Sequence, residues 1–594
     1  MVTLPSTITH ANPKILDDQL NQIANTKSAE DQKFELLAED IWQDALKRNP
    51  LSAVRFGLDS SPDEMPDISL EALQAANNNI RQQLALLNDI QAAKLSEQNR
   101  INLTILQHRL NNEADQFDYQ AYQVPLTAEG GFHTSLGFLP SAIELKSLQD
   151  AKNYLSRMAD FPSYFAQHMS HMKQGIKQGN TQPQVVLQGF ESSIDGFIVD
   201  KPEDSVFFAP FKELSFLTEQ QQTEIKQLAA QVITNQVVPA YQSFRDFMSE
   251  EYIPNSRKSI GVQYIPNGKS YYQNRSDHYT TTDLSAQEIH EIGLSEVKRI
   301  RAEMQTIIDQ LEFDGSFAEF LTFLRSDPQF YATTPEQLLK EASFIAKKMD
   351  AQLPKLFYHL PRTPYGIAPV PDHIAPKYTT GRYISPNKDT DPGYYWVNTY
   401  ALDRRPLYEL EALTLHEAVP GHHLQISLTR EMSNTPLYRS SYYMSAFGEG
   451  WGLYAEWLGL EAGFYQDPYS NFGRLTYEMW RALRLAVDTG MHVMDWTRDQ
   501  AIEFMKQNSA LSEHNITTEV DRYISWPGQA LSYKIGELTI KRLRAEAEAQ
   551  LGQQFDVREF HYHVLKNGSV PLSLLEQQVK MYIQEKLRQV PLTK

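Results

Sequence analysis

His416, Glu417, His422 and His423 put three imidazoles and a carboxylate within eight positions, framed by Leu415 and Leu424. Neutral imidazole suits zinc, and a glutamate directly after the first histidine is where a hydrolytic metal site keeps its general base. In the usual zinc helix the second histidine follows four residues after the first, so that both share a face. Here His422 lies six positions after His416 and His423 lies seven. At roughly 100° per residue His423 would face as His416 does, but a rise of ~1.5 Å per residue sets those two backbones ~10 Å apart. Pro420 removes a helical hydrogen bond and Gly421 relaxes the backbone, so the spacing predicts a bulge at Val419-Pro420-Gly421 that holds two extra residues. His422 then takes the ligand position, with His423 the alternative ligand or a group that orients another ligand.

A catalytic zinc takes a third protein ligand and leaves one place for water. Residues 447–457 carry Glu449 and Glu456, seven apart on one helix face among Trp451, Tyr454 and Leu458. A carboxylate in apolar surroundings is paired, neutral or a ligand. Glu449 is the preferred ligand, and Glu456, about two turns on, is expected to hold a ligand histidine. His290-Glu291 has no following histidine and reads as structural. His561 and His563, two residues apart on a helix, point to different sides and read the same way.

The elements that must position these residues are mostly helical. Residues 28–50, 69–87 and 96–119 repeat apolar positions near a 3.6 period. A Gly/Pro-bearing loop is expected over 129–140 and a helix near 151–157. The Tyr- and Thr-rich run 261–282 predicts a short hairpin or an extended lining segment and sets the boundary between an N-terminal helical region, 1–260, and a catalytic helical region, 261–594, which can also form one continuous domain. Ser285 to Glu288 is a capping box, and Thr333 or Thr334 before Pro335 opens another helix. Proline and glycine are frequent over 354–392, residues 393–399 form the clearest strand, and helix resumes after Pro406. The fold class is mainly α with a small β patch beside the motif helix.

Composition limits the alternatives. The 594 residues are 41% hydrophobic and 22% charged, an ordinary globular balance, with no run of ~18 apolar residues to span a bilayer. A net charge of -19 disfavours nucleic acid as a partner. The absence of cysteine removes disulfides, thiolate ligands and a cysteine nucleophile, leaving His and carboxylate to hold any metal. The first residues lack the charged and apolar regions of a secretory leader, so the compartment stays open between cytoplasm and, had a leader been trimmed, periplasm or medium.

The segments HEAVPGHHLQ, FGEGWGLYAEWLG, RALRLAVDTGMH and WPGQALSYKIG resemble the bacterial domain of unknown function 885 family. GGFHTSL, the threonines before the His290 helix, VNT at Asn398 and KNGSVPL resemble its weaker blocks, so the likeness covers most of the chain. That family is grouped with the HExxH-type gluzincin peptidases, whose third ligand is a glutamate on a later helix. Glu449 in GEGWGLYAE is similar to their NEGFAxYxE ligand, and the GH of His422 is similar to the HExGH of helical carboxypeptidases and angiotensin-converting-type dipeptidases, although this chain carries two residues more before it. The resemblance implies a large helical metallopeptidase-like fold with a central channel, Zn2+ on His416, His422 and Glu449, and Glu417 as general base in hydrolysis of short peptides. Tyr523 and Tyr533 are the candidate oxyanion donors. Arg522, Lys534, Arg481 and His492 are candidates to meet a substrate carboxylate or to support ligands, and the strand at 395–399 could pair with an extended peptide. Competing expectations are a catalytically silent zinc- or peptide-binding protein and a zinc hydrolase of other amides or esters. Cobalt or manganese could replace zinc.

Overall fold

The computed structural model describes residues 28–588, apart from residue 57, residues 59–62, residue 373, residues 387–389 and residue 434. The N-terminal residues expected to lack a leader lie outside them. Serine caps set the first three long helices. Ser28, Ser69 and Ser96 accept from Asp31 N, Ala72 N and Asn99 N and start α1 (Ala29–Arg48), α2 (Leu70–Asn88) and α3 (Glu97–Asp118). Their periodic faces meet through Phe34, Ile41, Trp42, Ile80, Leu87 and Leu106 in a small core of their own. The main core is one cluster that runs from Val54 to Ile583 and crosses position 260 without a break.

Residues 129–140 are not the continuous loop that their glycines predict. β1 (Leu126–Thr127) pairs antiparallel with β2 (Gly130–Gly131), and short helices follow at Phe132–Leu136 and Leu139–Ala142. The expected hairpin over 261–282 is also absent, since most of it is α4 (Gly268–Thr280). Tyr and Thr favour strands where a pleated, half-buried surface is available. Here Tyr272, Arg275, Ser276 and Thr280 form one buried helical stripe, and that tertiary burial overrides propensity. The capping box at Ser285 and Glu288 opens α5 (Ala286–Gln310), and Thr334 caps α6 (Pro335–Asp350).

The β patch has three strands, β3 (Tyr365–Pro369), β4 (Gly381–Ile384) and β5 (Gly393–Val397), in the order β3-β5-β4. β5 is parallel to β3 and antiparallel to β4. Both edges of β5 are therefore taken, and the strand expected to pair with a peptide is central; the outer edge nearest the motif belongs to β4. Asn398, just past β5, donates to the carbonyls of Ala375, Tyr378 and Thr379 and so ties down the approach to β4.

The helices that surround the motif are α7 (Leu410–Glu417), α8 (His422–Arg430), α9 (Ser445–Leu458), α10 (Pro468–Val493), α11 (Glu513–Ser525) and α12 (Ser532–Leu551). Among the described residues no helix is long and apolar enough to cross a membrane.

Asp488 of α10 is fully buried, and its Oδ1 accepts from the Tyr272 hydroxyl at 2.6 Å and from Gly528 N at 3.2 Å. Burial outweighs those two bonds and pushes its pKa up to about 7. The unfolded chain releases this proton near pH 4 while the native state keeps it, so the native state binds more protons between those limits. Stability is then full below pH 4, falls as pH rises to 7 and levels off above. Asp488→Asn should flatten that slope, which carries on the order of 4 kcal/mol. Thermal midpoints of the two proteins measured at pH 5 and pH 8 check this, and equal slopes would refute it.

Candidate metal centre

α7 ends at Glu417 and α8 begins at His422, with a cis Val419–Pro420 bond between them. The expected bulge within one helix is therefore a full break and restart. The break swings His422 back against His416, the placement that the bulge was expected to give. At Gly421 the turn brings the chain onto its own preceding helix, where a Cβ would lie 1.9 Å from the His416 carbonyl oxygen. Trp451 of α9 locks the turn by donating its indole N–H to the Pro420 carbonyl at 2.8 Å.

α9 packs across α7 so closely that a Cβ at residue 452 would stand 2.5 Å from the His416 ring. That approach brings Glu449 onto both histidines: its Oε2 lies 3.6 Å from His416 Nε2 and 3.4 Å from His422 Nε2. The two imidazoles stand nearly perpendicular, 88° apart with centroids 4.7 Å from each other. One ligand atom from each of His416, His422 and Glu449 falls within 4.8 Å of the others, a separation that one cation between them could bridge. His423 points elsewhere, with its Nδ1 3.1 Å from the Tyr383 hydroxyl and its ring against Tyr365.

The surrounding groups orient these three. His416 Nδ1 lies 2.8 Å from Glu456 Oε1, which leaves Nε2 for the cluster. Glu456 is itself held by Arg481, 3.6 Å away, so Arg481 reaches His416 through Glu456. Burial disfavours charge on His416, but the Glu449 and Glu456 carboxylates override it and lift its pKa to about 10. Burial likewise opposes ionisation of Glu449, and the two histidines override it and hold that carboxyl well below its usual range. The pocket favours positive charge at its centre. A donor set of two imidazoles and one carboxylate, with one imidazole fixed from behind, fits a borderline divalent ion such as zinc.

Glu417 sits one residue past His416, and its Oε2 accepts from Tyr383 N on the outer edge of β4 at 2.8 Å. Tyr443 hydrogen bonds Glu449 Oε1 at 3.1 Å. Its side chain is 44% exposed, yet desolvation, reinforced by Glu449, drives its phenol well above the ordinary range. Sequence reasoning missed Tyr443, although the Tyr442-Tyr443 pair ahead of the Glu449 helix was the available signal. It also missed the backbone of Tyr383.

Of the candidate donors, Tyr533 is half-buried, with its ring 4.2 Å under the Arg484 guanidinium, and it acts electrostatically on Tyr443. Tyr523 is fully buried, and its hydroxyl accepts from Trp480 Nε1 and Arg484 Nε at 2.9 and 2.8 Å. Lys534 is buried in an ion cluster with Glu296, Glu478 and Glu537. His492 bonds the Tyr523 carbonyl, and Arg522 pairs with Glu519 and Gln529. His290 bonds Thr489, His561 bonds Tyr454 and the Leu356 carbonyl, and His563 stacks on Tyr582, all in structural settings.

The fold is similar to that of a candidate lipoprotein from Colwellia psychrerythraea, at 28% identity and a TM-score of 0.87, over 94% of this chain and 100% of that one. It is also similar to a candidate lipoprotein of unknown function from Shewanella oneidensis, at 17% identity and a TM-score of 0.70, over 93% and 99% of the two chains. No curated protein matches the sequence. Residues 50–579 match the model described as "Bacterial protein of unknown function (DUF885)", and the chain belongs to that family.

Proposed function

We propose that this chain is a zinc-dependent peptidase that hydrolyses peptide bonds of short peptides. The observation that carries the reading is the convergence of His416, His422 and Glu449 beside Glu417, with His416 fixed from behind by Glu456. The gluzincin-like features, the HE word and a glutamate ligand on a later helix, support the same class. When bound, zinc supplies Lewis-acid polarisation of the scissile carbonyl and acidifies water. The protein's part is orientation and proton transfer. Glu417, held at Oε2 by Tyr383 N, presents its other oxygen to take the proton of the attacking water and pass it to the leaving amine. The outer edge of β4 supports an extended peptide laid beside the centre. Tyr443 steadies Glu449, and Tyr533, with part of its surface free, is the donor favoured for the developing oxyanion.

Elemental analysis tests the reading first. Protein purified without chelator, or dialysed against zinc, should hold about one ion per chain, as a three-ligand site with one place for water requires. A mixed peptide library should then be cleaved. Protein that takes up no transition metal, or that cleaves nothing in the library when loaded, would overturn the assignment.

A further inference from the structure

Two segments far apart in sequence that the centre leaves unexplained, Gly130-Gly131 and Trp526-Pro527, form walls of one cavity of about 470 Å³. This is the size range of small-ligand sites. Its walls include the rings of Tyr271, Tyr279 and Trp526, and its charged residues are Arg257, Arg275 and Glu129. Among the described residues neither arginine is ion paired. Arg257 gives Nε to the Thr181 carbonyl at 2.7 Å and Nη1 to those of Ser259 and Gly261 at 2.6 and 3.0 Å, which leaves Nη2 without a protein partner. Arg275 is only 2% exposed and meets the amide oxygens of Asn112 and Asn274. Glu129 cannot neutralise the pair, because its carboxylate is drawn toward Arg522, 3.9 Å away. Burial pushes the Arg257 pKa down to about 10, as expected for a cation that no anion offsets. An uncompensated guanidinium in an aromatic cavity calls for a carboxylate, which the remaining Nη2 of Arg257 can meet with charge-assisted hydrogen bonds.

Two arginines connect the cavity wall to the surroundings of the metal centre. The Arg382 guanidinium on β4 feels both Glu417 at the centre and Glu129 in the cavity wall. At the other wall, Arg522 links Glu129 to Gln529, whose amide reaches Ser445 at the start of α9.

We propose that this cavity receives the carboxylate end of a peptide whose backbone crosses the centre, with Arg257 as the principal contact and Arg275 behind it, a step that rests on the peptidase reading. The test uses three fluorescein-labelled pentapeptides: a free acid ending in phenylalanine, the same peptide as the amide, and an amide ending in glutamate. Their binding to the Glu417→Gln protein is followed by anisotropy, so that none is consumed. The free acid should bind at least about 10-fold more tightly than its amide, the lower end of what a charge-assisted pair contributes. Arg257→Met should erase the difference. Ser135→Glu, an exposed position on the cavity wall, should weaken the acid and leave the amide unchanged, which covers the case in which Arg257→Met fails to fold. If the glutamate amide binds like the acid, the site takes any carboxylate; if it binds like the amide, it takes the terminus. Equal binding of acid and amide, no binding of either, or a preference that survives both substitutions would overturn the proposal. Failure of the peptidase reading looks different: the wild-type protein cleaves nothing, while the acid preference persists.

Discussion

Glu417→Gln should lower kcat on any cleaved peptide by roughly 10²- to 10⁴-fold, with the metal content and the fold unchanged. The substitution is nearly isosteric. A glutamine carbonyl can still accept from Tyr383 N, the bond that fixes the side chain at 2.8 Å, so the position of residue 417 should survive. The lost property is basicity, since an amide takes no proton from water at neutral pH. KM should move little, because the proposed ligands His416, His422 and Glu449 and the edge of β4 are untouched. Steady-state kinetics and metal analysis of the same preparation separate the competing readings. A protein that only captures zinc or peptide has no turnover to lose, and a variant that keeps full kcat would remove Glu417 from the chemistry.

The parts of this architecture that were legible in the sequence are those fixed by local physics. Ser28, Ser96, Ser285 and Thr334 cap the helices that their spacing announces, because a cap is a hydrogen bond made within four residues. The residues at 393–399 read as strand from their aromatic and β-branched content, and Gly393–Val397 form β5. Their place in the sheet was not readable, since it depends on β3 and β4, neither of which stands out in a stretch rich in proline. α4 was misread for a related reason. Its tyrosines and threonines favour a strand until Tyr272 finds Asp488, 216 residues away in sequence, which no window on the chain can see. At the centre, the clustering of His416, His422 and Glu449 was readable from HE, GH and the later glutamate. Glu456 behind His416 was readable too, from its place two turns past Glu449. The Arg481 contact with Glu456 was not, because it depends on how α10 lies against α9, whereas the Tyr443 bond to Glu449 spans only six residues and was missed although it is local.

The remaining ambiguity of the motif, which of two adjacent histidines meets the ion, is where His422→Ala and His423→Ala should diverge most. His422→Ala removes one of the three proposed ligands and should weaken zinc binding by more than the roughly 10- to 100-fold that follows loss of an outer hydrogen-bond partner. Activity should fall with metal occupancy. His423→Ala removes a ring that packs on Tyr365 and bonds the Tyr383 hydroxyl, so it should leave zinc affinity within a few-fold of wild type and lower the melting temperature through lost packing. Competition of each variant with a zinc-binding dye measures the first effect, and thermal unfolding of the chelated proteins measures the second. The divergence follows from the break between α7 and α8. In a continuous helix the seven-residue spacing would align His423 with His416, but α8 starts afresh at His422, whose Nε2 stands 3.4 Å from Glu449. If His423→Ala lost the metal and His422→Ala kept it, the break would have to close into a helix when the ion binds, and Glu449 would have to follow the ligand to the other face.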